Sequence, residues 1–390
     1  MNSFTDELNL RLAALREQNL FRELRRVDSA PGTRIEIDGK KFLNFSSNDY
    51  LGLANHPTLK AAAIRAVEKY GAGAGASRLI CGSLAPFHEL EETLAAFKKS
   101  EAALTFSTGY AAAGGSITAL VGKSDIVILD KLVHACIVDA AKLSGAKLRV
   151  FDHNDLNDFE DKLRWARTNS QGQILVVTES IFSMDGDAAP LREIIALKEK
   201  YGAWLMVDEA HATGIIGENG RGLADELGVS NQIEIQMGTL GKALGASGGY
   251  ICGRRALIDF LVNRARSFIF STTPVPAAAA AAQAGIEIAK SAEGENLRKQ
   301  LRLRITGFQS AIGNQQSAIH AAIVPLILGD ETKTLAAATR LREQNIFVPA
   351  IRYPTVARGA ARLRVTFTAA HSTEDVNQLV IALKALDIGL

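Results

Sequence analysis

Lys242 sits in GTLGKALGASGG, a run of glycines and small residues (Gly238 to Gly249) that follows the hydrophobic segment IEIQM. The glycines let backbone and ligand approach closely. A lysine held away from water there loses its proton readily and becomes a nucleophile toward an aldehyde. The same stretch also reads as a flexible turn with a solvated lysine. Some thirty residues upstream, VDEAHATG sets Asp208, Glu209 and His211 directly after the apolar run AWLMV. A carboxylate at the end of a buried strand can hold a metal, cap a helix or pair with a buried cation. A Walker B role needs a GxxxxGK[ST] loop, which the chain lacks, and its seven histidines are scattered, so no metal site is expected.

A lysine and an acidic residue facing each other across the ends of adjacent strands suit pyridoxal 5'-phosphate. The carboxylate keeps the ring nitrogen protonated and the lysine holds the aldehyde as a Schiff base. The phosphate of such a cofactor wants N–H groups and hydroxyls at a helix N-terminus. STGYAAAGG supplies that turn with Thr108, Gly109 and Tyr110, and Thr239 lies three residues before Lys242. Each hydroxyl taken singly is equally a helix cap. A second glycine-rich loop, GAGAGASRLICG, contains Ser77 and reads as a ligand-lining segment or a mobile connector.

The elements that must carry these residues are legible as periodic runs. From His88 onward, helices alternate with apolar strands (EAALTFS, DIVILD, KLRVFDH, ILVVTES, AWLMVDEA), which means βαβ units and a mainly parallel sheet. Ligands in such folds bind at the carboxyl ends of the strands. A helix is expected over Phe4 to Leu24, with Leu8, Leu12 and Leu15 at helical spacing. A hairpin, RIEID and KFLNF about a Gly39-Lys40 turn, should follow it. The tail, with AAIVPLILG, IFVPAIRYP, ARLRVTFT and the final helix TEDVNQLVIALKAL, reads as a smaller α+β unit with its own hairpin. The expected division is an N-terminal helix and hairpin over 1–50, a large α/β domain over 51–285 and a C-terminal α+β domain over 286–390.

Composition narrows the class. A chain of 390 residues with 47% hydrophobic and 22% charged residues is globular, and a net charge of +2 points to neither nucleic acid nor a membrane. Three cysteines without a CxxC pair suggest no disulfide framework and no zinc, as in a reducing cytoplasm. The opening MNSFTDELNLRLAAL resembles neither a secretory signal nor a transit peptide, so a soluble cytoplasmic protein is expected.

The set FSSNDYLGL (Phe45–Leu53), STGYAA, DKLVHAC, ESIFSMDGD, VDEAHATG and TLGKALG resembles the α-oxoamine synthase family of pyridoxal-phosphate enzymes over almost the whole chain. The resemblance implies fold type I, a mainly parallel central sheet flanked by helices with a smaller C-terminal domain. It also implies a homodimer with active sites shared at the subunit interface, and condensation of a small amino acid with an acyl thioester, releasing carbon dioxide. Within the family the chain looks most like members that join L-alanine to pimeloyl-CoA or a pimeloyl-carrier protein in biotin synthesis; members that join glycine to an acetyl thioester come next. An aminotransferase of the same fold and a non-enzymatic α/β scaffold are the readings from other classes.

The resemblance carries residue roles with it. It makes Lys242 the Schiff-base lysine and proton-transfer group, and Asp208 the partner of the pyridinium nitrogen. His134, in DKLVHAC, stacks on the ring, while His211 and Ser183 approach its phenolic oxygen. Gly109 and Tyr110 cover the cofactor, Thr239 binds its phosphate, and Thr272 reaches the phosphate of the partner subunit. Asn48 and Ser77 lie near the substrate. Arg352 and Arg364 are candidates for substrate carboxylates, since a guanidinium fork matches a carboxylate in two contacts. Thr355 would contact the acyl substrate and Arg22 the far end of its chain, although a surface arginine is also an ordinary salt-bridge partner. One departure is visible: Ala113 stands where some members carry an asparagine.

Overall fold

The computed structural model describes residues 3–313 and 321–386. Strands β1 (Arg34–Ile37) and β2 (Lys40–Asn44) form the N-terminal hairpin. Seven strands build the central sheet: β3 (Ala102–Phe106), β4 (Ile126–Asp130), β5 (Lys147–Phe151), β6 (Ile174–Glu179), β7 (Trp204–Asp208), β8 (Ile235–Thr239) and β9 (Gly249–Gly253). Their order is β3-β9-β8-β7-β6-β4-β5, and all run parallel except β9, which is antiparallel to both its neighbours. The C-terminal unit holds β10 (Ile323–Gly329), β11 (Ile346–Phe347), β12 (Ala350–Ile351) and β13 (Ala361–Thr366).

The sheet has this form because its strands are continuously apolar. Every residue of β3, β4 and β6 is buried, as a parallel strand covered by helices on both faces requires. The covering helices start where a cap is available: Thr108 accepts from the N–H of Ala111 at the head of Gly109–Leu120, and Asp155 accepts from Asn157 and Asp158. One hydrophobic core packs these helices on the sheet. A second joins Leu43, Phe45 and Tyr50 of the N-terminal segment to Leu363, Val365 and Phe367 of the C-terminal unit. Phe45 stacks on His371 at 4.2 Å between ring centres.

Three local expectations are corrected. The first helix stops at Glu17 rather than near Leu24: Gln18 caps it, and Asn19 turns into the left-handed region (φ 55°). That helix buries none of its residues, and its apolar stripe, Leu8, Leu12 and Leu15, stays 37–40% exposed. The hairpin turn is Asp38-Gly39, one residue earlier than read. Both residues have positive φ (51° and 72°), as a two-residue turn of this hand demands, and Lys40 is already in register opposite Ile37. IFVPAI is split into two strands, of which only the second forms the expected C-terminal hairpin. Pro349, which has no N–H to offer a ladder, separates β11, which pairs parallel with β2, from β12, which pairs with β13.

The strand end that carries Asp208 is anchored by an ion pair beneath it. Glu209 meets the amine of Lys98 at 2.5 Å, with the two side chains 0% and 2% exposed, and also accepts from the N–H of Ala224 at 3.0 Å. Lys98 additionally donates to the carbonyl of Arg221. Removing one partner of such a pair strands the other charge in a dry interior. Lys98→Met is therefore expected to lower stability by about 3–5 kcal/mol in urea unfolding; a loss below about 1 kcal/mol, the range of exposed pairs, would contradict that role.

Candidate active site

The carboxyl ends of β4, β6, β7 and β8 converge on a cavity of about 170 Å³ lined by Gly109, Tyr110, His134, Asp208, His211, Thr239 and Lys242, together with Cys136, Glu179, Ala210 and Met237. Asp208 is the last residue of β7, and Glu179, the last of β6, is its register partner. His134 caps the helix Ala135–Ser144, its Nδ1 accepting from the N–H of Cys136 (3.2 Å) while its own main-chain N–H donates to Glu179 (2.5 Å). Lys242 lies three residues past β8, in a turn closed by the N–H of Gly245 donating to its carbonyl at 2.9 Å. Gly249 lets the head of the Gly109–Leu120 helix approach: a Cβ there would stand 2.6 Å from the nitrogen of Gly109.

A chain of short contacts runs back from the lysine. The amine of Lys242 is 2.7 Å from Nε2 of His211, whose Nδ1 is 2.6 Å from the hydroxyl of Tyr50. Beyond it, Asn48 Oδ1 lies 3.3 Å from that hydroxyl and accepts from Arg364 at 3.2 Å. Arg364 also donates to the carbonyl of Ser183 (2.7 Å) and to the hydroxyl of Thr366 (3.1 Å).

Burial governs the charge state. It drives Lys242 below the ordinary lysine value, against the opposing pull of Asp208 and Glu179. It raises Asp208, which Lys242 in turn holds down, and it pushes Glu179 up to about 8, helped by the neighbouring charge of Asp208. His211 falls well below its usual range through burial and the nearby Lys242, Arg364 and His134; burial lowers His134 as well. The result is a lysine that gives up its proton more readily than an exposed one, set between a carboxylate and imidazoles that burial keeps from charging.

These donors fit pyridoxal phosphate. Lys242 offers an amine for the aldehyde, buried Asp208 offers a carboxylate for the ring nitrogen, and the first turn after Thr108 offers main-chain N–H groups for a phosphate. Among the described residues no group of three or more His, Cys, Asp or Glu is placed to hold a metal ion.

The other expected residues fall into distinct places. The hydroxyl of Thr239 donates to the carbonyl of Gly248 (2.9 Å) and accepts from the N–H of Gly241 (3.2 Å), so it shapes the lysine turn as well as lining the cavity. Tyr110 is 54% exposed, its hydroxyl donating to Asp139 at 2.7 Å. Asn48, Ser183 and Arg364 join the site through the contacts above, Ser183 by its main chain. Ser77 and Thr272 pair with each other through a β-bridge outside the cavity lining. Arg22, Arg352 and Thr355 form a separate cluster at the seam between the N-terminal segment and the C-terminal unit. There Arg22 donates to Thr355 (3.3 Å), and Arg352 donates to the carbonyls of Asn19 (2.6 Å) and Phe21 (2.8 Å). Ala113 is fully buried in the helix behind the cavity.

Sequence reading missed Tyr50 and Glu179. Tyr50 looked like an aromatic in a polar loop, although it sits in the same short motif as Asn48. Glu179 was legible by the rule that found Asp208, an acid closing an apolar strand, applied one strand earlier.

If Lys242 is the group that takes the aldehyde, borohydride reduction of the protein with stoichiometric pyridoxal phosphate at neutral pH should label one peptide, the one containing Lys242. Label spread over surface lysines, with Lys242 unmodified, would contradict the site as described.

Comparison with known proteins agrees with this geometry. The family described as aminotransferase class I and II matches residues 40–383. The chain is 47% identical to the 8-amino-7-oxononanoate synthase of Geobacter sulfurreducens over 95% of both chains. It is 44% identical to that of Thermoanaerobacter pseudethanolicus over 98% of this chain and 96% of the relative. In structure it superposes on a serine palmitoyltransferase from S. paucimobilis, solved with a bound PLP–myriocin aldimine, with a TM-score of 0.90 and 29% identity over 98% and 96% of the two chains. It also matches an 8-amino-7-oxononanoate synthase from Francisella tularensis with a TM-score of 0.75 and 28% identity over 88% and 98%. The chain thus belongs to the class I and II aminotransferase family of fold type I pyridoxal-phosphate enzymes, in its α-oxoamine synthase branch.

Proposed function

We propose that the protein catalyses the decarboxylating condensation of L-alanine with a pimeloyl thioester, giving 8-amino-7-oxononanoate, carbon dioxide and free coenzyme A or carrier protein, in biotin synthesis. The observation that carries the proposal is the buried facing of Lys242 and Asp208 in a chain nearly half identical, end to end, to enzymes of that name. Pyridoxal phosphate supplies, when bound, an electron sink for a carbanion at the α-carbon of the amino acid.

Each residue then has a task set by its chemistry. Asp208 would keep the ring nitrogen protonated, and the turn Thr108-Gly109-Tyr110 with Thr239 would hold the phosphate. His134 would pack on the ring, and His211 with Ser183 would serve its phenolic oxygen. Lys242, its proton loosened by burial, takes the proton from the α-carbon, which attacks the acyl carbonyl while the thiolate leaves. The carboxylate then departs as carbon dioxide and Lys242 returns a proton to the same carbon. Arg364, with Asn48 beside it, is suited to a substrate carboxylate by its fork of donors. Arg22, Arg352 and Thr355 face the acyl chain, with Ser77 at its entry. Thr272 reaches the phosphate of the second subunit of a homodimer. The chain divides at about residues 50 and 285 into the N-terminal segment, the cofactor domain and the C-terminal domain. No helix among the described residues is long and apolar enough to cross a membrane.

Thiol release, measured with alanine or glycine crossed against pimeloyl and acetyl thioesters, tests the assignment. Turnover is expected with alanine and pimeloyl thioester and should vanish in Lys242→Ala. Preference for glycine with acetyl thioester would move the protein to 2-amino-3-ketobutyrate formation, and pyridoxamine phosphate formed from alanine and a keto acid would make it an aminotransferase.

A further inference from the structure

Tyr50 bridges the chemistry and the frame of the protein. Its hydroxyl lies 2.6 Å from Nδ1 of His211, and the other ring nitrogen of that histidine lies 2.7 Å from the amine of Lys242. The tyrosine is wholly buried, and its loop is pinned on both sides. Asp49 accepts from the N–H groups of Leu53 (2.8 Å) and Ala54 (3.1 Å), and the N–H of Ala369 donates to the carbonyl of Tyr50 (2.8 Å). A phenol held this way cannot follow the imidazole, so the imidazole must conform to it.

We infer that Tyr50 is a positioning residue that keeps the single proton of His211 on Nε2, so that an N–H faces Lys242 and the atoms reacting there. The hydroxyl has one proton and two acceptors within reach, Nδ1 of His211 at 2.6 Å and Oδ1 of Asn48 at 3.3 Å. The contact to Nδ1 is the shorter of the two, and the Asn48 oxygen is also served by Arg364 at 3.2 Å, so the tyrosine proton goes to the imidazole. With Nδ1 accepting, the neutral ring must carry its own hydrogen on Nε2. Burial supports both halves: it pushes the Tyr50 hydroxyl up to about 12, so the proton stays, and it keeps His211 uncharged.

The choice of tautomer bears on Lys242. An Nε2–H pointing at the amine can be accepted only by a lone pair, so it favours the uncharged, basic lysine. The opposite tautomer presents a lone pair, which would draw a hydrogen bond from the amine and favour ammonium. A tyrosine in place of a carboxylate behind the histidine orients the ring without adding a charge that would stabilise imidazolium.

Long-range proton–nitrogen NMR on the ¹⁵N-histidine-labelled protein, without substrate, reads the tautomer directly. His211 is expected to show a protonated Nε2 and a bare Nδ1, and Tyr50→Phe should convert that signature to a mixture or to Nδ1–H while leaving the other histidines unchanged. An Nδ1–H His211 in the unaltered protein, or an unaltered His211 pattern in Tyr50→Phe, would overturn the inference. In the cofactor-loaded enzyme the same variant should lose at least about tenfold in kcat with little change in KM for the amino acid, and an unchanged kcat beside an altered tautomer would overturn its bearing on Lys242. The rate rests on the role of Lys242 proposed above; the tautomer does not, so failure of one is separable from failure of the other.

Discussion

Removal of water from the strand ends around Lys242 is the constraint on which the rest depends. In water the lysine would be ammonium and Asp208 an ordinary carboxylate. Burial works against both charges, and the attraction between them works the other way. One unit of pKa is about 1.4 kcal/mol of preference between protonation states. That the lysine still ends below its ordinary value means that dehydration outweighs two nearby carboxylates, Asp208 and Glu179. An amine of that kind gives up its proton more readily than a surface lysine does, and the same dryness strengthens every hydrogen bond aimed at the site.

Such dehydration needs walls from several parts of the chain. The parallel sheet supplies Asp208, Glu179 and the lysine turn; the helix heads after β3 and β4 supply Thr108, Gly109 and His134. The third wall comes from far away in sequence. The N-terminal hairpin shares a sheet with β11, and the loop after it delivers Asn48 and Tyr50 to the back of His211. β13 delivers Arg364 to the same place. The second hydrophobic core, with Phe45 against His371 and Phe367, locks these segments together, so N-terminal loop and C-terminal strand act on the lysine as one body.

Much of this was legible in the chain. Runs such as ILVVTE and IVILD can only be strands buried on both faces, and their spacing requires a parallel sheet whose carboxyl ends gather Asp208, His134 and the Lys242 turn. What escaped reading depends on long-range contact. Tyr50 lies among polar residues and looks exposed; it is buried because strand β13 and the segment after it close over its loop. Arg362 and Arg364 alternate identically on β13 and both are buried. Yet Arg362 is taken by Asp185 at 2.5 Å, whereas Arg364 reaches Asn48, a difference of neighbours rather than of pattern. Arg352 shares its local motif with Arg364 but is occupied by carbonyls of the N-terminal segment. The first helix was read too long because leucine spacing carries no information about whether anything packs against it.

Competitive acetylation of the protein without cofactor, across a pH series and resolved by mass spectrometry, gives the titration of each lysine in one experiment. Lys242 is expected to titrate below the surface lysines of the same molecule, and lower still in Asp208→Asn, where a carboxylate that opposes the shift is gone. A Lys242 that titrates with or above the surface lysines would contradict the account, since it would make the residue an ordinary ammonium.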